Sequence, residues 1–190
     1  MPINGNGWEL HLVRLGQHQG HQLVRTYGRY SVSIDGTEVA GLSGHMVECQ
    51  GPGQNDTPCT SQFRRRIKEG VYPLYTHYTH YASIGFSKTA TYPTTDHRMP
   101  GFGLEGTHNR TGILVHPAHD GGLFLSSIGC LNPSDALGTH DDMDIADSRA
   151  RVMAMLSSLK GFRPGAFQAS GTYRIEDATV VIDGEPQNWL

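Results

Sequence analysis

The sequence lacks the features that mark several common classes of protein. Its 190 residues carry a formal net charge of -3, which gives no basic footprint for nucleic acid and no polybasic patch for a membrane surface. No apolar run approaches the roughly 20 residues that a transmembrane helix requires. We therefore expect no nucleic-acid partner and no membrane span.

Cysteine is scarce as well, with Cys49, Cys59 and Cys130 as the three examples. No Cys-x-x-Cys pair is present, so a zinc ribbon has no support, and we predict neither a metal nor a cofactor. An odd number of cysteines implies at least one free thiol. A disulfide between Cys49 and Cys59 would close the loop between them, but two unpaired thiols are usual in a reducing compartment.

The amino-terminal residues 1–8 are polar and rich in glycine and asparagine. They show no charged segment followed by an apolar one, so no secretory signal is visible. We expect the protein to be made in the cytoplasm. A target outside the cytoplasm would then be reached by lysis, by a contact-injection machine or through a fused partner.

The composition favours a β protein with many loops. Glycine is plentiful at 24 residues and the apolar fraction is a modest 37%, which is atypical of a helix bundle. Short apolar stretches separated by turn residues predict strands, with a hairpin turn at Asp35-Gly36. The predicted strands cover 8–15, 23–42, 45–50, the stretch after Glu69-Gly70, 112–117 and a final strand or hairpin over 171–184.

One helix is predicted, over residues 144–160. Apolar residues recur there at helical spacing, acidic residues precede its first turn, and Lys160-Gly161 suit its end. Many short strands and one substantial helix near the C-terminus predict a mainly β sandwich or barrel. The length suits a single domain over 1–190, with its core at about 8–183.

The segment 112–132 carries the most informative residues for chemistry. It contains a predicted strand that ends at His116, a glycine-rich loop and the sequence Ser-Ile-Gly-Cys at 127–130. A thiol becomes a nucleophile when an imidazole or backbone N–H groups favour its thiolate, so we expect Cys130 to be a catalytic thiolate and His116 its base. Gly129 would leave room for a substrate carbonyl, and Ser127 would donate a hydrogen bond nearby.

Each of these residues, taken alone, also has an ordinary structural interpretation. A lone cysteine is usually a small buried hydrophobe, and a histidine at a strand end usually has a satisfied ring. The combination of Ser-x-Gly-Cys with an upstream histidine favours the functional interpretation.

The sequence Ser-Ile-Gly-Cys-Leu-Asn at 127–132 resembles the Ser/Thr-His-Gly-Cys-x-Asn/Arg signature of the L,D-transpeptidase (YkuD-like) catalytic domain. Lys-Glu-Gly-Val-Tyr-Pro-Leu at 68–74 is similar to a turn and strand upstream in that family. The run 30–132 also resembles uncharacterised phage and bacterial domains related to this fold. Two positions depart from the signature: Ile128 replaces a histidine, and Asn132 stands where many members have arginine.

The resemblance implies a cysteine-dependent acyl transfer or hydrolysis on peptidoglycan stem peptides, without a cofactor. Cys130, His116, Ser127 and Gly129 would form the catalytic segment. Asn132 and Arg110 are candidate substrate-binding residues, since an arginine can hold a carboxylate with two hydrogen bonds. A surface charge is an equally good interpretation of Arg110.

The setting that we expect for such an enzyme is an injected antibacterial effector, a toxin with a cognate immunity protein, or a phage-encoded protein. Two other interpretations stay open. The chain could be a non-enzymatic phage or secretion-apparatus component that keeps a degenerate scaffold of this type. It could also be a cysteine hydrolase of another amide, because Cys-His pairs recur on many folds.

Overall fold

A computed structural model describes residues 4–186 of the chain. The fold is mainly β, with 38% of residues in strands and 11% in helix, which confirms the predicted class. Among these residues one α-helix forms, α1 Ile145–Phe162, and it lies near the C-terminus as expected. No helix in this part of the chain is long and apolar enough to cross a membrane.

Eight strands form the main sheet, in the order β8-β7-β4-β10-β1-β2-β3-β9, and two short strands, β5 and β6, form a second one. The long strands are β1 Trp8–Gly20, β2 Leu23–Ile34, β3 Thr37–Cys49, β4 Gly70–Thr76 and β10 Arg174–Asp183. The short ones are β5 Tyr81–Ala82, β6 Met99–Pro100, β7 Phe102–Leu104, β8 Leu114–Val115 and β9 Asn132–Ser134.

The turn between β2 and β3 lies where the sequence predicts it. Asp35 and Gly36 adopt positive φ angles of 49° and 78°, as a two-residue hairpin turn requires. An Asp35 side-chain oxygen accepts a hydrogen bond from the Gly7 N–H at 2.8 Å, which ties the turn to the start of β1. The strand β3 runs unbroken to Cys49, so the strand predicted over 45–50 is its continuation.

The main sheet curves until its two edge strands meet. Val115 of β8 forms a parallel bridge with Leu131, directly before β9. The Leu131 N–H donates to the Leu114 carbonyl at 2.9 Å, and the His116 N–H donates to the Leu131 carbonyl at 3.1 Å. The sheet is therefore nearly closed, and the closing bridge lies inside the segment that we expect to carry the chemistry.

The helix α1 packs its apolar side on the inside of this sheet. Asp144 is its N-cap and accepts a hydrogen bond from the Asp147 N–H at 2.7 Å, as the acidic residues before the first turn indicate. The buried apolar residues of the helix join the core that the strands form around Trp8. These helical core residues are Val152, Met155, Leu156 and Leu159.

A buried ion cluster closes one end of the sheet. The guanidinium of Arg14 donates two hydrogen bonds of 2.8 Å to Glu48, and both side chains are almost fully buried. Arg66, also buried, instead pairs with Glu185 at 2.9 Å. The partner of Glu48 is therefore Arg14, which the inward face of β1 supplies.

Candidate active site

The closing bridge of the sheet lies directly beside the predicted catalytic residues in the chain: Val115 precedes His116, and Leu131 follows Cys130. Val115 and Leu131 belong to the core, where both are fully buried. Successive side chains of a strand alternate between faces, so we expect the neighbours of this pair to point the other way. By this alternation Cys130, His116 and Asn132 would share the opposite face, although Cys130 and His116 lie just outside the two strands.

The imidazole of His116 is held by the backbone directly after it. Its Nδ1 atom lies 2.8 Å from the Pro117 carbonyl oxygen. A carbonyl only accepts, so this contact places the ring proton on Nδ1 and leaves the lone pair on Nε2. His116 is thus in the tautomer that a general base acting through Nε2 requires.

Asn132 lies against the same imidazole. Its Nδ2 atom donates to the His116 carbonyl oxygen at 3.0 Å and lies 3.5 Å from Nε2 of the ring. The side chain is fully buried, and its Oδ1 atom has no hydrogen-bond partner among residues 4–186. Asn132 is therefore a residue that contacts and orients His116, and the substrate-binding role expected for it stays a prediction.

The sulfur of Cys130 lies against two backbone groups at the start of β8 and just before it. It accepts a hydrogen bond from the Leu114 N–H at 3.3 Å and lies 3.6 Å from the Gly112 carbonyl oxygen. The residue retains partial solvent exposure, although protein surrounds its sulfur densely enough to penalise a charge strongly. These backbone contacts fix the position of the sulfur.

The turn that presents Cys130 is held by side chains on three sides. Ser127 donates from Oγ to the Cys130 carbonyl at 2.8 Å, and its own carbonyl accepts from the Cys49 thiol at 3.3 Å. Arg110 donates from Nη2 to the Ile128 carbonyl at 3.2 Å. Ser127 therefore shapes the turn, and no hydrogen bond from its hydroxyl to the Cys130 sulfur is formed in the described chain.

Arg110 is an interior residue in this structure. It is fully buried, and its guanidinium also donates to the carbonyl oxygens of Thr57 and Arg65. These contacts connect the irregular segment 50–69 to the turn that carries Cys130. The alternative of a surface charge is wrong, and the carboxylate-binding role stays a prediction that would require the guanidinium to be uncovered.

Gly129 leaves room for protein atoms. A β-carbon at this position would lie 2.7 Å from Nη2 of Arg110 and 2.8 Å from Sγ of Cys59. Both distances are shorter than van der Waals contact allows, so glycine is required by packing beneath the turn. From the sequence we expect Gly129 to leave space for a substrate carbonyl. In the structure that space is instead taken by atoms of Arg110 and Cys59.

All three cysteines are unpaired and lie around this turn. Cys49 bonds to the Ser127 carbonyl, Cys59 packs against Gly129, and Cys130 ends the turn. The disulfide between Cys49 and Cys59 is absent, and the alternative of two free thiols is what the structure has. Among residues 4–186, no group of His, Cys, Asp or Glu side chains is arranged to hold a metal ion.

Burial favours the neutral forms of the Cys130 thiol and the His116 imidazole. It raises the pKa of the Cys130 thiol to about 12, against the weaker opposing effects of the Leu114 N–H and the Arg110 guanidinium. Burial also lowers the pKa of His116 to about 4, and the bond to the Pro117 carbonyl only partly offsets this. At neutral pH the thiol is therefore expected to be protonated and the imidazole neutral, and the catalytic thiolate expected from sequence stays a prediction.

Two tyrosines that interact electrostatically with Cys130 are not among the residues that the sequence singles out. Burial raises the pKa of Tyr75 and of Tyr81, and in each the next contribution is electrostatic repulsion from Cys130. Both residues belong to the repeated pattern Tyr-Thr-His-Tyr-Thr-His-Tyr at 75–81. That aromatic repeat is the signal that could have drawn attention to them.

Comparisons with known proteins add no identification. No family model, curated protein or solved structure matches the chain. The resemblance to L,D-transpeptidases therefore stays an expectation that rests on the motif at 127–132 and the upstream histidine.

Proposed function

We propose that the protein is a cysteine-dependent acyltransferase or hydrolase that acts on peptide-type carbonyl groups. The observation that supports this proposal is the closing bridge of the sheet, which pairs Val115, directly before His116, with Leu131, directly after Cys130. The motif resemblance points to peptidoglycan stem peptides as the substrate class. No hydrogen bond joins the His116 ring to the Cys130 sulfur in the part of the chain described, so proton transfer requires the two side chains to move into contact.

The neutral pair defines the first step. The Nε2 lone pair of His116 takes the thiol proton while the Cys130 sulfur attacks the carbonyl carbon, so the thiolate forms only as it is consumed. The oxyanion forms next to the Cys130 N–H, which has no acceptor among residues 4–186. A neutral thiol and a neutral imidazole are compatible with this order of events.

The tetrahedral intermediate then collapses. The carbon–nitrogen bond breaks, the departing amine takes the proton from His116, and the acyl group remains on the Cys130 sulfur as a thioester. An acceptor amine or a water molecule then attacks the thioester and gives its proton to His116. The carbon–sulfur bond breaks, and His116 returns the proton to the departing sulfur, which restores the thiol. The acceptor decides between cross-linking, amino-acid exchange and hydrolysis.

A non-enzymatic scaffold is the second candidate. The observations that favour it are the strong burial of both groups and the missing hydrogen bond between them, because each is expected of a relic site. In that case the ring and the thiol would serve only to pack the closing bridge.

Purified muropeptides with tetrapeptide and pentapeptide stems separate these candidates. The wild-type protein and the Cys130→Ala variant are incubated with them, and the products are identified by mass spectrometry. Cys59→Ser is the matched control, since it alters a partly exposed thiol beside the same turn. We expect product from the wild type and the control and none from Cys130→Ala; identical profiles for all three would leave the scaffold as the better account.

A further inference from the structure

The ring of Tyr81 covers one face of the candidate base. Its centroid lies 4.4 Å from that of the His116 imidazole, and the two planes are inclined by 36°. Tyr81 is half-buried and is the first residue of β5, where it pairs in parallel with Met99 of β6. Strand pairing therefore fixes the backbone that carries this ring.

The turn before Tyr81 is fixed as well. The Tyr81 carbonyl accepts a hydrogen bond from the Thr79 N–H at 3.0 Å and lies 2.8 Å from Nδ1 of His77. On the following residue, the Ala82 carbonyl accepts from the Gly101 N–H at 3.0 Å. These hydrogen bonds fix the backbone from which the Tyr81 ring reaches the His116 imidazole.

Gly101 is the residue that lets the two rings approach. A β-carbon there would lie 3.2 Å from Cβ of Tyr81 and 3.6 Å from Cβ of His116. It would also lie 3.2 Å from the Val115 carbonyl oxygen. The contact between Tyr81 and His116 is thus part of the packing around the closing bridge of the sheet.

The phenol of Tyr81 is neutral in this setting. Burial raises its pKa first, and electrostatic repulsion from Cys130 and Tyr92 raises it further, so it stays protonated at neutral pH. The side chain that contacts the candidate base therefore brings no charge to it.

We propose that Tyr81 is a positioning residue for the reaction at Cys130: its ring fixes the plane of the His116 imidazole and shields one face of it from water. This inference rests on the proposed acyl transfer for its purpose. The contact itself does not depend on the reaction, so the two can be tested separately.

Other groups also lie near the His116 ring, and they stay unchanged in the test. The Pro117 carbonyl bonds to Nδ1, Asn132 contacts both ring nitrogens, and the ring of His119 lies 6.4 Å away. His119 is the titratable neighbour that lowers the pKa of His116 further by repulsion between the two cations. Removing the Tyr81 ring leaves these three groups in place and changes the exposure of the imidazole to water.

The experiment is an NMR titration of the His116 ring in the wild type and in Tyr81 variants. We expect a pKa near 4 in the wild type and in Tyr81→Phe, which keeps the ring, and a rise by about one unit or more toward the ordinary 6.5 in Tyr81→Ala. Tyr92→Ala is the control, because Tyr92 is exposed and contacts His119 rather than His116. If Tyr81→Ala fails to fold, Tyr81→Val replaces it with the same expected rise.

The inference is overturned if the pKa of His116 in Tyr81→Ala or Tyr81→Val equals that of the wild type. It is also overturned if the pKa shifts by the same amount in Tyr81→Phe. The kinetic readout is the acidic limb of kcat/KM, which should follow the His116 titration upward in Tyr81→Ala and return to its wild-type position in Tyr81→Phe. A protein without any activity contradicts the proposed function, whereas the NMR result still decides whether Tyr81 controls the imidazole.

Discussion

The Nη2 atom of Arg110 lies 2.7 Å from the position that a β-carbon on Gly129 would occupy. This contact couples the turn that carries Cys130 to a fully buried cation whose other donors bind carbonyls of the 50–69 segment. The position of the thiol therefore depends on a packing contact beneath it as much as on the strand that follows.

Replacing Gly129 by alanine should displace this turn. The added methyl group must push aside Arg110 and the Cys59 sulfur, and overpacking of this kind costs about 1–3 kcal/mol of stability. Chemical denaturation measures the free energy of unfolding of the variant. The matched control is Gly161→Ala, where the helix leaves open space; it should be neutral or stabilising by about 0.5–1 kcal/mol. A Gly129→Ala variant as stable as Gly161→Ala would show that the Arg110 contact is not tight.

The buried ion pair between Arg14 and Glu48 should dominate the stability of its end of the sheet. Truncating one partner leaves a charge buried without compensation, so Glu48→Ala should lower the free energy of unfolding by about 3–5 kcal/mol. The control is Asp56→Ala, which removes an exposed pair with Lys68 and should cost about 0–1 kcal/mol. Equal losses in a denaturant titration would mean that the cluster around Arg14 is hydrated.

The pKa of His116 predicts how stability changes with pH. The unfolded chain takes up a proton near the ordinary pKa of about 6.5, whereas the folded ring does so only near 4. The free energy of unfolding should therefore fall by about 3 kcal/mol as the pH drops from about 6.5 to about 4. Denaturation midpoints measured across this range test it, with His116→Asn expected to flatten most of the slope. An unchanged slope in that variant would contradict a buried neutral imidazole.

The protonation state of Cys130 can be read from its rate of alkylation. With a pKa of about 12, the thiolate fraction and the rate should rise about tenfold for each pH unit from 7 upward. Iodoacetamide labelling followed by peptide mapping isolates Cys130 from the other two cysteines. An unstructured peptide thiol should react faster at pH 7 and level off near its own pKa of about 8.5. A plateau for Cys130 at neutral pH would restore the resting thiolate.

The parts of the fold that sequence predicts are those that local chemistry determines. The hairpin turn needs positive φ angles that Asp35-Gly36 can adopt, and the helix needs the cap that Asp144 provides. Both are therefore visible in short stretches of sequence. The strand expected over 112–117 shrinks to Leu114–Val115, because its length depends on how far the two edges of the sheet overlap.

In the candidate site, too, some features follow from adjacent residues and others require contacts between segments that are distant in sequence. Cys130, His116 and the turn between Ser127 and Cys130 follow from adjacent residues and are readable in the sequence. The ring contact of Tyr81 requires the pairing of β5 with β6, which are separated along the chain. The burial of Arg110 requires carbonyl acceptors from segments far from it in sequence, and an isolated arginine carries no sign of them.

In the proposed reaction the Cys130 sulfur carries the acyl group, and this intermediate can be observed by intact-protein mass spectrometry. Wild-type protein mixed with a stem peptide should gain the mass of the acyl fragment, and peptide mapping should place it on Cys130. The His116→Ala variant should acylate at least about 10²-fold more slowly, as expected for loss of a general base, and Cys130→Ala should not acylate at all. A wild-type protein that never gains this mass, or one that gains it equally in Cys130→Ala, would contradict the account.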